Sequence, residues 1–533
     1  MRLLNTTLVA LSCLRLASTS QLEQAVLGLA TEPHSKPVNI AIIGAGAAGS
    51  STAYHLAKYA LESVTPINIT LLERRPYIGG RSTTVNAYDD PALPVELGAS
   101  IFVKINKILV DAVDEFDLST ASFREKSNVP GADLAVWDGE EIKITQNGGW
   151  WDFAKLWWRY GRAPLQTIKL MKSTVGKFLQ IYESPLFPFE SLTKVAQDVG
   201  LLEVTAATGE QYMRENGITG LFGNEIVQAS TRVNYAQNLE YIHGLEAMVC
   251  MATDGAMAVE GGNWRIFDQM VKSSNATVLL DTEVTAITRQ KSGQHSLTFK
   301  PGTSALESQS FDAVVLATPF QFSNLSSLRL DGPHSTPDKI PYVELHVTLF
   351  TSPHLLSPKF FDLPADQPAP KVILTTLPIG ESGKSGPAGV GKSGFWSISL
   401  LRPVTNPETS GQEYLYKIFS PSPVNATFLE DLLDVEHLPG NDQDKLSVRD
   451  VSWILRKVWE SYPYEYPRVT FEDAKLAERL WYTGGMDSFI STMETNALMG
   501  KNVAKLIADD FAGWNGDAVL ETAQKNAAVK DDL

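Results

Sequence analysis

The sequence predicts an α/β fold with α+β insertions, in which an N-terminal nucleotide-type βαβ unit is interleaved with a second region. Three observations carry this. Val38 to Ile43 is a compact β-branched run; Gly44-Ala45-Gly46-Ala47-Ala48-Gly49 follows at once and opens a helix-forming stretch; Ile67 to Leu72 is a second apolar run ending on Glu73. Strand, glycine turn, helix and strand together make one right-handed crossover.

The remaining elements follow in order. Residues 38–110 are expected to hold the βαβ part, and 115–255 a mainly helical part, with one long helix over 150–185. Paired strands are expected from Thr277 to Lys300, and a buried parallel strand from Phe311 to Ala317, so residues 256–330 return to the first domain. An alternating strand at 340–350 opens a second sheet over 335–470, interrupted by a Gly/Ser/Pro-rich flexible loop at 376–395. A helix over 493–510 lies within a C-terminal segment of 475–515.

Composition is that of a globular protein, with 44% hydrophobic and 20% charged residues in a chain of 533. Lysine and arginine number 45 against 61 acids, giving 45 − 61 = −16. An acidic chain without basic runs repels phosphate backbones, so nucleic acid is not an expected partner. No transmembrane segment and no metal-ligand spacing is expected.

The N-terminus reads as a secretory signal over residues 1–20: Arg2, an apolar stretch from Leu3 to Ala17, then the small residues Ala17-Ser18-Thr19-Ser20. Sequons at Asn275, Asn324 and Asn425 suit a lumenal chain; a fourth, Asn68, falls in an expected buried strand. The chain ends Lys530-Asp531-Asp532-Leu533, one methylene from a retrieval signal, so endoplasmic reticulum, vacuole or lysosome, and secretion all stay open. Of two cysteines, Cys13 falls in the signal, and Cys250 beside Met248 and Met251 is expected to be buried filler.

Gly44, Gly46 and Gly49 between strand and helix form a dinucleotide fingerprint in its confirming context, with Ala47 and Ala48 at the helix N-terminus facing the phosphates. Glu73, placed 73 − 49 = 24 residues beyond the last glycine, can bind a ribose hydroxyl and disfavours a 2′-phosphate. This is a Rossmann-type site. Glu73-Arg74-Arg75 leads into Gly79-Gly80-Arg81-Ser82-Thr83-Thr84, which resembles the second glycine motif of amine-oxidase-like flavoproteins, so the expected cofactor is FAD. On the same resemblance Arg74, Gly80 and Arg81 attend the diphosphate. Glu96-Leu97-Gly98-Ala99-Ser100 is similar to the segment that passes the flavin ring, with Gly98, Ala99 and Ser100 beside it, and Glu283-Val284 is similar to the position that contacts adenine.

Beyond these motifs the chain resembles the prenylcysteine oxidases, also called prenylcysteine lyases, with gaps from about residue 38 to 515. Trp158-Arg159-Tyr160-Gly161, Thr231-Arg232-Val233-Asn234-Tyr235-Ala236-Gln237 and Val259-Glu260-Gly261-Gly262-Asn263 carry the likeness. So do Thr492-Met493-Glu494-Thr495-Asn496-Ala497-Leu498, Asn502-Val503-Ala504 and Gly513-Trp514-Asn515. Met493 and Glu494 then fall in the helix that flanks the flavin. Two departures concern the substrate: Ala236 stands where glycine is usual, and Gly484-Gly485-Met486-Asp487 lacks the glycine–apolar–glutamate pattern.

The resemblance implies a flavin oxidase that cleaves a prenylated thioether with O2, releasing aldehyde, cysteine and hydrogen peroxide. A flavin oxidase of a specialised pathway, acting on a prenylated, aromatic or amine compound, is the alternative, and a flavoprotein that only binds lipid a third. For the substrate pocket the candidates are Trp158 and Tyr160 in an aromatic cluster, with Tyr235 and His346 at the polar end. Plain core is the competing reading of the cluster and of His346. No residue presents itself as a catalytic base.

Overall fold

The computed structural model describes residues 36–122, 128–148, 150–325, 327–328, 336–436 and 446–531. The 1–20 signal and the last two residues of the C-terminal tetrapeptide lie outside them.

A six-stranded sheet carries the first unit, in the order Lys475–Ala477, Leu480–Tyr482, Ala313–Leu316, Val38–Ile43, Ile67–Leu72, Thr277–Leu279. It is parallel except for the terminal pair Lys475–Ala477 and Leu480–Tyr482. The apolar run Val38–Ile43 is continuous because both faces of the strand are covered. Ile40 and Ile42 pack under helices with Leu56, Leu498 and Val503, whereas Ala41 and Ile43 meet Val284, Leu297 and Phe299 of a four-stranded sheet. The helix Met493–Asp531 crosses Ala47–Glu62 so closely that a Cβ on Gly500 would stand 2.2 Å from the carbonyl of Ala48. Ser51 Oγ donates to Ala497 O across that crossing at 2.6 Å.

A seven-stranded sheet forms the second unit, in the order Trp453–Pro463, Tyr342–Ser352, Gln412–Ser420, Ser397–Thr405, Val372–Thr375, Leu134–Trp137, Ile142–Gln146. Its last two strands come from 115–255, a stretch the sequence reads as mainly helical. The long helix expected over 150–185 is broken: Gly161 turns left-handed at φ 58° between Trp150–Tyr160 and Ala163–Leu179. Thr277–Leu279 does not pair with the strand that follows but joins the six-stranded sheet, leaving Thr282–Arg289 to pair with His295–Pro301. The loop over 376–395 is pinned rather than free: fully buried Arg232 donates to Gly389 O at 2.8 Å and Val390 O at 2.7 Å.

Candidate functional site: a cavity between two sheets

The carboxyl ends of a parallel sheet leave a crevice where the chain turns into its first helix. Here that crevice opens into a cavity of about 1280 Å³, above the roughly 300–1,000 Å³ of ordinary small-molecule pockets. At one end stand Gly44, Gly46, Ala47, Ala48, Glu73, Arg74, Gly80 and Arg81; Gly98, Ala99, Ser100, Val284, Met493 and Glu494 also line it. Gly49 is absent from the lining for a steric reason. Its Cβ would meet Gly44 O at 1.9 Å, so it lets helix and strand approach. A Cβ on Gly46 meets nothing nearer than Gly80 Cα at 4.0 Å, so any side chain there would project into the cradle.

Glu73 is buried, and its carboxylate accepts from Ala45 N at 2.8 Å and Arg75 N at 2.9 Å, fixed at the end of its strand with lone pairs to spare. Arg74 Nη1 donates to Phe322 O. Glu494, which the family likeness assigns to the flavin, turns its carboxylate to another task. It accepts from Ile108 N and Leu109 N at 3.0 Å each and from Tyr182 OH at 2.8 Å, capping the helix Lys107–Glu115.

The wall opposite Gly98 comes from the second sheet. A Cβ on Gly98 would stand 2.8 Å from the Trp459 ring. Beside it Lys417 Nζ donates to Ser100 Oγ at 2.8 Å and Glu96 O at 2.9 Å. Burial pushes this ammonium down to about 8, while burial pushes the Glu96 carboxyl up to about 7. The sequence carried a signal for Lys417 that went unread: a lone lysine within the apolar run Leu415-Tyr416-Lys417-Ile418-Phe419. Asp487, from the atypical glycine turn, was likewise missed; it accepts from Arg81, Tyr342 OH and Asn496 Nδ2.

Apolar side chains line the cavity too, among them Val136, Val175, Phe178, Ile226, Val233 and Leu374. Of the four substrate-pocket candidates, only Tyr235 lines the cavity. Trp158 is 92% exposed, because a helix turns it away from Tyr160, two residues on. Tyr160 is core: it packs edge-on against Phe222 and donates to Glu225 Oε2 at 2.7 Å. His346 lies on the other face of its strand, 3.7 Å from Glu344, because alternation gives the cavity side to Leu345.

A family model described as prenylcysteine lyase matches residues 144–518, and one described as an NAD(P)-binding Rossmann-like domain matches 42–116. The chain belongs to the prenylcysteine lyase family. The farnesylcysteine lyase of Arabidopsis thaliana is 27% identical over 502 residues, covering 89% of each chain. Prenylcysteine oxidase 1 of Homo sapiens is 26% identical over 504 residues, covering 91% of each. Among solved structures, a redesigned putrescine oxidase superposes with a TM-score of 0.55 at 12% identity, over 89% of this chain and 99% of that one. Cyclohexylamine oxidase from Brevibacterium oxydans IH-35A gives 0.53 at 14%, over 89% and 100%. These two likenesses are of fold: a prenylcysteine lyase family member built on an amine-oxidase-like frame.

Proposed function

We propose that the protein is an FAD-dependent thioether oxidase that cleaves S-prenyl-L-cysteine with O2 and water to a prenyl aldehyde, cysteine and hydrogen peroxide. The observation that carries this is one continuous cavity lined both by a dinucleotide cradle and by apolar side chains, in a chain of this family. The residues fit FAD: Glu73 would take the ribose hydroxyls, and the backbone of Gly44 to Ala48 at the helix N-terminus the diphosphate, since Gly46 leaves that space open. When bound, FAD supplies the hydride acceptor.

The chain's own contribution is orientation. Val136, Val175, Phe178 and Ile226 hold an isoprenoid away from water, which leaves the sulfur-bearing end toward Tyr235 and the polar cavity floor. We further propose a secretory-pathway protein, on the strength of the N-terminal signal and the sequons. Asn275, Asn324 and Asn425 are all exposed. Asn68 is exposed too, at the start of its strand rather than within the buried part.

Anaerobic stopped-flow spectroscopy tests the chemistry. Farnesylcysteine is expected to bleach the flavin, and the saturated thioether of the same bulk to bind but bleach it far more slowly, because the allylic double bond stabilises the developing cation. Equal rates would overturn the allylic mechanism. Failure of both to bleach the flavin would overturn the reading itself.

A further inference from the structure

Behind Tyr235 lies a group of ionisable side chains that the site as described does not use. His243, Glu246 and Glu465 are each fully buried, with ligand-type atoms all within 4.8 Å of one another. Among the described residues, His243 Nε2 and all four carboxylate oxygens make no close hydrogen bond; His243 Nε2 stands 3.5 Å from Glu465 Oε2, and only Tyr235 OH and Ser491 N are turned toward Glu246 as donors. Two bare carboxylates so close and so deep would repel each other strongly, so the group must hold a cation or a proton.

Hydrogen-bond parity decides which. His243 caps the helix Gly244–Cys250, and its Nδ1 accepts from Glu246 N at 3.1 Å. That lone pair is used, and burial holds the ring neutral by pushing its titration down to about 3. The one ring proton therefore sits on Nε2, which has no lone pair for a metal and can only donate toward Glu465. Tyr235 OH lies 3.0 Å from Ser491 O and also faces Glu246, so its one proton can turn to either acceptor. Burial pushes the Glu246 carboxyl up to about 8 and the Glu465 carboxyl well above its ordinary value, so the two cannot both be bare at pH 7. Of the other groups facing the pair, Arg468 and Arg81 lie toward Glu465, Arg81 already being paired with Asp487; the Asp487 carboxylate acts on both glutamates, and Cys250 and Tyr235 face both.

We propose that Glu246 and Glu465 share a single proton, and that Tyr235 joins this pair to the cavity as its proton-exchanging group. The second half of the proposal rests on the thioether reading. There, hydride leaves the carbon, water adds to it forming a C–O bond, and one proton is freed. The C–S bond then breaks to give thiol and aldehyde, and reduction of O2 to hydrogen peroxide takes one proton back. Passed through Tyr235, the freed proton can rest on the unprotonated member of the pair and stay buried until it is needed.

Infrared spectroscopy with 13C-labelled glutamate tests the resting state on the purified flavoprotein, without substrate. A protonated carboxyl band is expected at pH 7, lost when Glu246→Gln and Glu465→Gln are combined. Histidine 15N shifts, which need no variant, are expected to place the His243 proton on Nε2. A band absent from wild type or surviving the double variant, a proton on Nδ1, or one divalent metal per chain by elemental analysis would overturn the shared proton. In an anaerobic single turnover with a pH indicator dye, wild type is expected to retain the proton and either variant to release a whole equivalent. Equal release from all three would overturn the exchange role. No flavin bleaching in wild type would instead count against the thioether reading, leaving the infrared result intact.

Discussion

Arg81 Nη2 reaches both carboxylate oxygens of Asp487, at 3.0 and 2.8 Å, across 406 residues of sequence. The pair ties the second glycine loop to the turn before the last helix, and Tyr342 OH joins it at 2.9 Å. The Asp487 side chain is 2% exposed and that of Arg81 34%, so removing the guanidinium strands a buried carboxylate. Arg81→Met should cost about 3 kcal/mol, the lower end for a broken buried pair, since Arg81 is partly wet. Urea unfolding of the apoprotein measures it; a loss below 1 kcal/mol would mean the pair is solvated.

Gly46→Val separates folding from cofactor binding. Its Cβ would have 4.0 Å of clearance, so the fold should form, with unchanged far-UV dichroism. The side chain would stand where the diphosphate must pass, so the purified variant should be colourless. A folded, fully yellow variant would refute the cradle assignment.

Lys417 and Glu96 give opposite slopes of stability against pH. Burial drops Lys417 from 10.5 to about 8, so between those values the unfolded chain holds a proton the folded one lacks, and stability rises with pH. Burial raises Glu96 from 4.5 to about 7, so there the folded chain holds the extra proton, and stability falls as pH rises. Lys417→Met should flatten the first window and Glu96→Gln the second, each by up to about 1.4 kcal/mol per pH unit, the limit for one proton. Chemical unfolding midpoints at half-unit pH steps report both.

Trp158, the most prominent aromatic of the family-like segment, should be dispensable for catalysis. It is 92% exposed and touches no wall of the cavity, so Trp158→Ala should leave kcat/KM within about twofold. A tenfold loss would require it to fold over the cavity mouth.

What could be read ahead of the structure divides along physical lines. The βαβ unit was legible because glycine spacing, a β-branched run and a terminal acid are local signals that a single segment must satisfy. Trp158 and His346 misled because sidedness is set by register: one step along a strand gave Leu345 the cavity and His346 the outside. Asp487 and the His243 group were invisible because each gathers side chains hundreds of residues apart. Ala236 was noticed as a departure without its reason. It sits at φ 52°, the left-handed end of the helix Gln228–Tyr235, where glycine is the unstrained choice. Ala236→Gly should change stability by less than about 1 kcal/mol, since relief of strain offsets a lost buried methyl and a more flexible unfolded chain.

The apolar wall sets the prenyl length. Each methylene withdrawn from water contributes about 0.8 kcal/mol, so a chain longer by one five-carbon isoprene unit gains at most about 4 kcal/mol where the wall accommodates it. Farnesylcysteine should therefore bind more tightly than geranylcysteine, by tenfold or more. Val233 is half-buried on the helix Gln228–Tyr235 and lines the cavity. Val233→Trp would shorten the channel without changing the cradle or Tyr235, raising KM for farnesylcysteine while sparing the single-isoprene S-dimethylallylcysteine and the flavin content. Steady-state kinetics on the two substrates decides it. A rise in KM equal for both would place the isoprenoid elsewhere in the cavity, and Phe178→Trp on the facing helix Ala163–Leu179 would then be the next probe of its path.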